Sequence, residues 1–200
     1  MRLFIAIMLP DPLRATLHTA ARKLAETRAN IRWVVPAQYH ITVKFLGETD
    51  DVLVPQIAER LTRAAAQVPI FTLHLEGPIR FPPLQAHVQP RIIAVNARSP
   101  DQRLTRLHRL IDSTLGGMGL PMDTRTLTAH VTLGRISSNH GLNRLLRQLP
   151  KHEFDPLGTL EVSTVTLLQS VLGSEGPVHT ALHAAPLAAI VLPPEPASAP

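Results

Sequence analysis

The chain contains no cysteine. That excludes disulfides, a thiolate nucleophile and cysteine-ligated zinc, and it fits a reducing compartment. Aromatic residues are scarce, with one Trp, one Tyr and five Phe in 200 residues. Trp33, Phe4 and Phe45 are read as core residues in preference to platforms for stacked bases. The apolar stretch at the start, Met1-Arg2-Leu3-Phe4-Ile5-Ala6-Ile7-Met8-Leu9-Pro10, is too short to span a bilayer. No small-residue cleavage site follows it, so it reads as a first strand and not as a signal peptide, with the cytoplasm as the expected location. No Gly-x-Ser-x-Gly elbow supports a serine nucleophile. Acidic residues are in deficit, 15 Asp and Glu against 20 Lys and Arg, which leaves a formal net charge of +5.

What is present is globular. Apolar residues make up 44% and charged residues 18%, enough for a real core in one large domain or two small lobes. Arginine dominates the basic set, and its planar fork of donors fits phosphate oxygens. A basic surface of this kind favours polyanions such as nucleic acid. A bias toward Pro and Arg in the composition would give the same balance without any such partner.

Periodicity divides the chain. Residues 2–9 read as a buried strand. Asp11 is placed as the cap of a helix with Pro12 at its first position, and Leu13, Leu17, Ala21 and Leu24 recur at helical spacing to about Arg28. Residues 31–35 form a short strand stopped by Pro36. A strand runs from about Tyr39 to Leu46, ended by Gly47. Asp50 or Asp51 opens a second helix with Val54, Ile57, Leu61, Ala64 and Ala65 on one stripe. Ile70–Glu76 alternates as a strand, followed by a loop, Gly77-Pro78-Ile79-Arg80-Phe81-Pro82-Pro83, too rich in proline for a regular element. Arg91–Val95 is a strand. Ser99-Pro100-Asp101 starts a helix that buries Leu104, Leu107, Ile111 and Leu115 and stops at Gly116-Gly117. A strand spans 129–135, and a short helix about 139–149 carries Leu142, Leu145, Leu146 and Leu149. Two strands close the fold, Gly158–Ser170 and about Val178–His183. Residues 193–200 are a Pro- and Ala-rich tail expected to be disordered, with 1–192 as a single two-lobed domain. The order strand, helix, strand, strand, helix, strand runs roughly twice. It predicts an α+β fold of two pseudo-twofold-related lobes, each an antiparallel sheet with helices packed outside.

One pattern is written twice, His40-Ile41-Thr42-Val43-Lys44-Phe45-Leu46-Gly47 and His130-Val131-Thr132-Leu133-Gly134-Arg135. Each alternates as a strand, so His40 and Thr42 share one face, and His130 and Thr132 share one face. Ile41, Val43 and Phe45 are assigned to the opposite, buried face, and Lys44 to the face of His40 as a solvated lysine. Under a pseudo-twofold the two polar faces meet across a central cleft. Paired imidazoles there suit general acid–base catalysis, because one can be neutral while the other is protonated. The hydroxyls of Thr42 and Thr132 and the Arg135 guanidinium can hold phosphate oxygens. Strict alternation turns Arg135 away from His130, so its part requires a bend at Gly134. Two unrelated edge-strand histidines remain the competing reading. A zinc site on His40, His130 and a carboxylate lacks zinc-ligand spacing. His87, His108 and His179 are read as surface or satisfied histidines.

With these residues in view, residues 1 to about 187 resemble the two-histidine phosphoesterase superfamily. Within it the chain is similar to the bacterial RNA 2',3'-cyclic phosphodiesterases, also called 2'-5' RNA ligases. The opening Met1-Arg2-Leu3-Phe4-Ile5-Ala6-Ile7, then Arg32-Trp33-Val34 and both His-x-Thr runs, carry the resemblance. It implies a two-lobed α+β fold with the His-x-Thr strands facing a central cleft. It implies metal-independent opening of a ribose 2',3'-cyclic phosphate to a 2'-phosphate, with a weak, ATP-independent reversal that joins RNA through a 2'-5' linkage. His40 and His130 become the acid–base pair, with Thr42, Thr132 and Arg135 on the phosphate; His130 is assigned as base on water and His40 as acid on the 3' oxygen, an order that the sequence does not fix and that reversal of the reaction exchanges. No cofactor, metal, membrane or obligate protein partner is implied; the substrate is an RNA end or nucleotide bearing a 2',3'-cyclic phosphate, and the chain is expected to be a monomer. A small-nucleotide phosphodiesterase and an RNA-binding protein with vestigial activity are the alternatives. The chain departs from its relatives at Ala94 and Asn96, where an aromatic and a glycine are common, and at His179, where a tyrosine is common. These departures bear on base stacking and on the preferred RNA length.

Overall fold

This computed structural model describes residues 1–81, 89–152, 155–173 and 176–189. In chain order the elements are β1 (Arg2–Met8), α1 (Asp11–Ala25), β2 (Ile31–Trp33), β3 (His40–Glu48), α2 (Val54–Ala65), β4 (Phe71–Phe81), β5 (Ile92–Arg98), α3 (Arg103–Gly116), β6 (His130–Ile136), α4 (Leu142–Gln148), β7 (Pro156–Val162), β8 (Thr164–Gly173) and β9 (Gly176–Pro186). The strands form one antiparallel sheet in the order β7-β4-β5-β6-β3-β1-β8-β9, with β2 added on β6. The architecture is α+β, a curled sheet with four helices.

Alternation along β1 gives the sheet its two faces. Leu3, Ile5 and Ile7 join the main core, while Phe4 and Ala6 join Leu168 in a separate cluster on the opposite face. The main core is closed by helix stripes at 3.6-residue spacing. Leu13, Leu17 and Ala21 of α1, Ile57 and Leu61 of α2, and Leu107, Ile111 and Leu115 of α3 are all buried in it. Each such leucine or isoleucine contributes roughly 1.5–3 kcal/mol through burial. Leu24 and Ile93 pack instead with Leu142, Leu145 and Leu149 of the α4 region.

The sheet has two four-stranded halves, β7-β4-β5-β6 and β3-β1-β8-β9. They meet between β6 and β3 through a single residue pair, Ile41 opposite Val131. Both residues are the middle position of a His-x-Thr run. The two runs therefore cross antiparallel at the seam. That register sets His40 beside Thr132 and Thr42 beside His130.

Several expectations are corrected. Asp11 does not cap α1; Pro10 occupies that position, and the Asp11 carboxylate accepts from Arg14 Nη1 at 3.1 Å. Asp50 caps a short 3-10 turn, Asp51–Leu53, that precedes α2. α3 begins at Arg103, whose N–H donates to Asp101 Oδ1 at 3.1 Å. The helix placed at 139–149 is shorter, and a 3-10 turn follows it. The proline-rich stretch from Gly77 is strand as far as Phe81, because a register shift between Glu76 and Ile79 takes Pro78 out of the ladder. Pro82 and Pro83 lie outside the described residues, as does the tail 193–200. The strand placed at 158–170 is two strands broken at Ser163. β7 pairs with β4 at one side of the sheet and β8 with β1 in the other half. Among the described residues no helix is long and apolar enough to cross a membrane.

Candidate active site

The open face of the sheet carries a cleft of about 570 Å³ over the seam, lined by His40, Thr42, His130, Thr132 and Arg135 among others. The structure thus brings together all five residues singled out from the sequence. Diagonal neighbours across an antiparallel pair stand about 7–8 Å apart. His40 and His130 are related in that way across the seam.

A repeated irregularity shapes the cleft. On β3, Ala6 pairs with Thr42 but Ile5 pairs with Lys44, so Val43 is an extra residue in a β-bulge. On β6, Ala94 pairs with Thr132 but Ile93 pairs with Gly134, so Leu133 is extra in the same place. Each bulge reverses the alternation after the threonine. The residue that strict alternation would bury, Phe45 or Arg135, faces the cleft instead. Arg135 reaches the cleft face by this route. The assignments of Phe45 and Lys44 are corrected by it: Phe45 is 64% exposed and Lys44 only 1%.

Lys44 is consumed beneath the sheet. Its Nζ bonds Asp112 Oδ1 at 2.5 Å and Pro121 O at 2.8 Å, with Asp123 Oδ2 at 3.6 Å. His108 Nε2 pairs with Asp123 Oδ2 at 2.9 Å, which satisfies that histidine as expected. The equivalent of Lys44 on β6 is Gly134. A Cβ there would lie 2.5 Å from Ile31 Cγ2 and 3.0 Å from Trp33 Cε3. Glycine is required because β2 lies against β6 at that point.

The two imidazoles are mounted alike. His40 Nδ1 is 2.7 Å from Gln38 O, and His130 Nδ1 is 2.7 Å from Thr128 O. A carbonyl only accepts, so Nδ1–H donates in both, and the basic lone pair of each neutral ring sits on Nε2. Burial pushes His40 down to about 4, against the help of the Gln38 carbonyl, and repulsion from His179 and His130 when they are protonated, and from Arg135, adds to the fall. His130 is lowered for the same reasons in the same order: burial first, the Thr128 carbonyl opposing, Arg135 adding. Both shifts favour the neutral ring, and an anion placed between the two imidazoles would favour the protonated form of one of them.

Further residues complete the walls. Arg2 and Arg32 line the cleft with Arg135, and no described lining residue carries a carboxylate. Phe4 packs between His40, at 5.1 Å, and Phe45, at 6.2 Å between ring centroids. Trp33 also lines the cleft, so all three aromatics read as core border the site. His179 is neither on the outer surface nor satisfied. It faces the cleft, and its buried Nδ1 has no hydrogen-bond partner among the described residues. His87 lies outside the described residues. Ala94 and Asn96 pair with Thr132 and His130 along β5. Phe45 and Lys44 escaped sequence reasoning because a bulge without Gly or Pro leaves no mark in the alternation, and His179 because its ring contacts are made with residues far away in the chain. Among the described residues no group of three or more His, Cys, Asp or Glu could hold a metal ion.

A model of the family described as the 2'-5' RNA ligase superfamily matches residues 9–173. The chain is 29% identical to the RNA 2',3'-cyclic phosphodiesterase of Aeropyrum pernix over 160 residues, 80% of this chain and 88% of that protein. It is 30% identical to the protein of the same name from Archaeoglobus fulgidus, over 92% of this chain and 98% of that one. Its fold is similar to the crystal structure of TT0787 of Thermus thermophilus, with a TM-score of 0.76 and 26% identity over 95% of this chain and all of that chain.

Proposed function

The chain belongs to the 2'-5' RNA ligase superfamily, and on that premise we propose that it is an RNA 2',3'-cyclic phosphodiesterase that works without metal. The names of its curated relatives support the activity. The single observation that carries the mechanism is the twice-bulged His-x-Thr strand, which sets two imidazoles, two hydroxyls and a guanidinium on one cleft.

His130 Nε2 takes a proton from water as the oxygen attacks phosphorus. The P–O3' bond breaks in line, and His40 gives its proton to the departing 3' oxygen, leaving a 2'-phosphate. A depressed pKa makes protonated His40 a strong acid toward that alkoxide. The negative phosphate restores the protonated fraction that burial removes. Thr42, Thr132 and Arg135 donate to the non-bridging oxygens, where charge grows in the transition state. A ribose 5'-hydroxyl in place of water gives the 2'-5' linkage by the same displacement.

Arg2 and Arg32, in a cleft whose described lining holds no carboxylate, favour a strand with further phosphates over a cyclic mononucleotide. The test is product analysis on an oligoribonucleotide ending in a 2',3'-cyclic phosphate and on cyclic mononucleotides. A 2'-phosphate end, formed with the higher kcat/KM on the oligonucleotide, is the expected result. Formation of a 3'-phosphate, or no turnover of either substrate, refutes it.

A further inference from the structure

The β8–β9 hairpin brings a third imidazole to the cleft, His179, which the proton transfers above leave unused. Its ring meets the His40 ring edge-on, with 5.3 Å between centroids and 85° between planes. It also meets Phe4 edge-on at 4.9 Å, while Phe4 lies 5.1 Å from His40. Three rings thus pack mutually, and edge-on contacts of this spacing favour a defined orientation. The same hairpin reaches His40 by a second route. The Gln38 side-chain amide donates to Pro177 O, and Gln38 O accepts from His40 Nδ1–H. Pro177 and His179 are two residues apart on β9 and both line the cleft. One strand therefore steadies the carbonyl that sets the His40 tautomer and also the ring that borders its plane.

His179 differs chemically from its neighbour. His40 gives its Nδ1–H to a carbonyl, whereas His179 Nδ1 is buried without a partner among the described residues. Protonating His179 would bury a second N–H with no acceptor, which is the unfavourable outcome for a polar group out of water. Burial already holds it below the usual imidazole value. The groups that share its cleft are Arg2 of β1, Arg32 of β2, His40 of β3, and His130 and Arg135 of β6. All are cations or become cations on protonation, so they oppose a charge on His179.

We propose that His179 is the positioning residue of His40: a neutral ring, carried by the last hairpin, that holds the His40 imidazole in its working orientation. The inference rests on the catalytic reading of His40. It is tested with His179→Ala, His179→Phe and His179→Gln in the full chain, using two readouts. The first is turnover of an oligoribonucleotide ending in a 2',3'-cyclic phosphate. The second is imidazole NMR of His40, which does not depend on turnover.

Loss of the ring in the Ala and Gln variants should lower kcat by about 10–100-fold, the scale of a small misplacement. KM should stay within about twofold, since no binding contact is lost. The Phe variant keeps an edge against His40 and should recover most of the wild-type kcat. By NMR, His40 should hold a single Nδ1–H tautomer in the wild type and the Phe variant. The Ala and Gln variants should show both tautomers and a titration midpoint moved up. A rise in KM alone, a Gln variant that recovers while Phe does not, or a His40 spectrum unchanged in all variants overturns the proposal. If the wild type fails to open the cyclic phosphate, the functional reading fails, and the NMR comparison still decides the role of His179.

Discussion

Replacing Lys44 by methionine tests how much the buried charge under β3 contributes to stability. Lys44 is 1% exposed and its ammonium meets oxygens of Asp112, Pro121 and Asp123. Methionine fills much of the volume but leaves Asp112 without its cation. Breaking one partner of a buried pair costs about 3–5 kcal/mol. Asp112 keeps a 3.0 Å bond from the Asp123 N–H and its side chain is 10% exposed, which argues for the lower end. At roughly 2–4 °C per kcal/mol for a chain of this size, Tm should fall by about 6–12 °C at pH 7. The pH dependence has a definite sign. Burial raises the Asp112 carboxyl, but the Lys44 and Asp123 hydrogen bonds and the Lys44 charge outweigh it, so it lies below the usual range. In the wild type that stabilisation is present above the ordinary carboxylate pKa of about 3.9 and is lost as pH falls through the lower folded value. In the variant, burial acts without Lys44 and the carboxyl moves up, so its protonation relieves the defect on acidification. The Tm gap between the two proteins should therefore narrow from pH 7 toward about pH 4. Lys44→Met with Asp112→Leu should recover part of the lost stability, since no unpaired charge remains. Melts by circular dichroism at several pH values decide it. A fall of less than about 2 °C, or a gap that widens in acid, refutes the reasoning.

His40→Ala and His130→Ala should each lower kcat/KM by roughly 10²–10⁴-fold, and the double variant by far less than the product, because the groups act as a unit. The kcat/KM profile should be a bell whose alkaline limb lies below the ordinary imidazole value of about 6.5, since the empty cleft lowers both rings; a limb above neutrality in the free enzyme contradicts the burial account. In the proposed mechanism two imidazoles supply both proton transfers, so turnover should be unchanged by a chelator, and activity lost to chelation and restored by zinc or manganese contradicts it. Gly134→Ala should displace β2 and lower both Tm and kcat, because its Cβ would sit 2.5 Å from Ile31 Cγ2; a melt and rate like those of the wild type would show that β2 yields freely.

The parts of this fold legible in the sequence are those where alternation is unbroken. The His-x-Thr runs, the helix stripes and β1 all keep their period, and each was placed by it. The period fails at Val43 and Leu133, where an extra residue enters the strand, at Val43 without glycine or proline to announce it. Lys44 and Phe45 were consequently assigned to each other's faces. At Arg135 the glycine before it gave a cue, and the bend it suggested exists as the bulge. The break at Ser163 is silent for another reason. β7 and β8 are both good strand sequence, and only their partners, β4 and β1, separate them. His179 could not be distinguished from the satisfied His108, because ring contacts with Phe4 and His40 join residues more than a hundred positions apart in the chain.

The place of β1 in the sheet has a consequence for how the chain is made. β1 is held between β3 and β8, and its residues Leu3 to Ala6 pair with Gln169 to Thr166. Its β3 partner is translated within the first fifty residues, whereas its β8 partner arrives near the end. Throughout that interval the nascent chain can present Leu3-Phe4-Ile5-Ala6-Ile7-Met8, six uncharged residues of high strand propensity, along an unpaired edge. Such an edge is a template for pairing with other chains. Late closure of a non-local pair prolongs the exposure. Messages truncated before β8 should yield insoluble protein rather than a soluble half-sheet, and ribosome-bound chains of that length should be the ones that holdase chaperones protect.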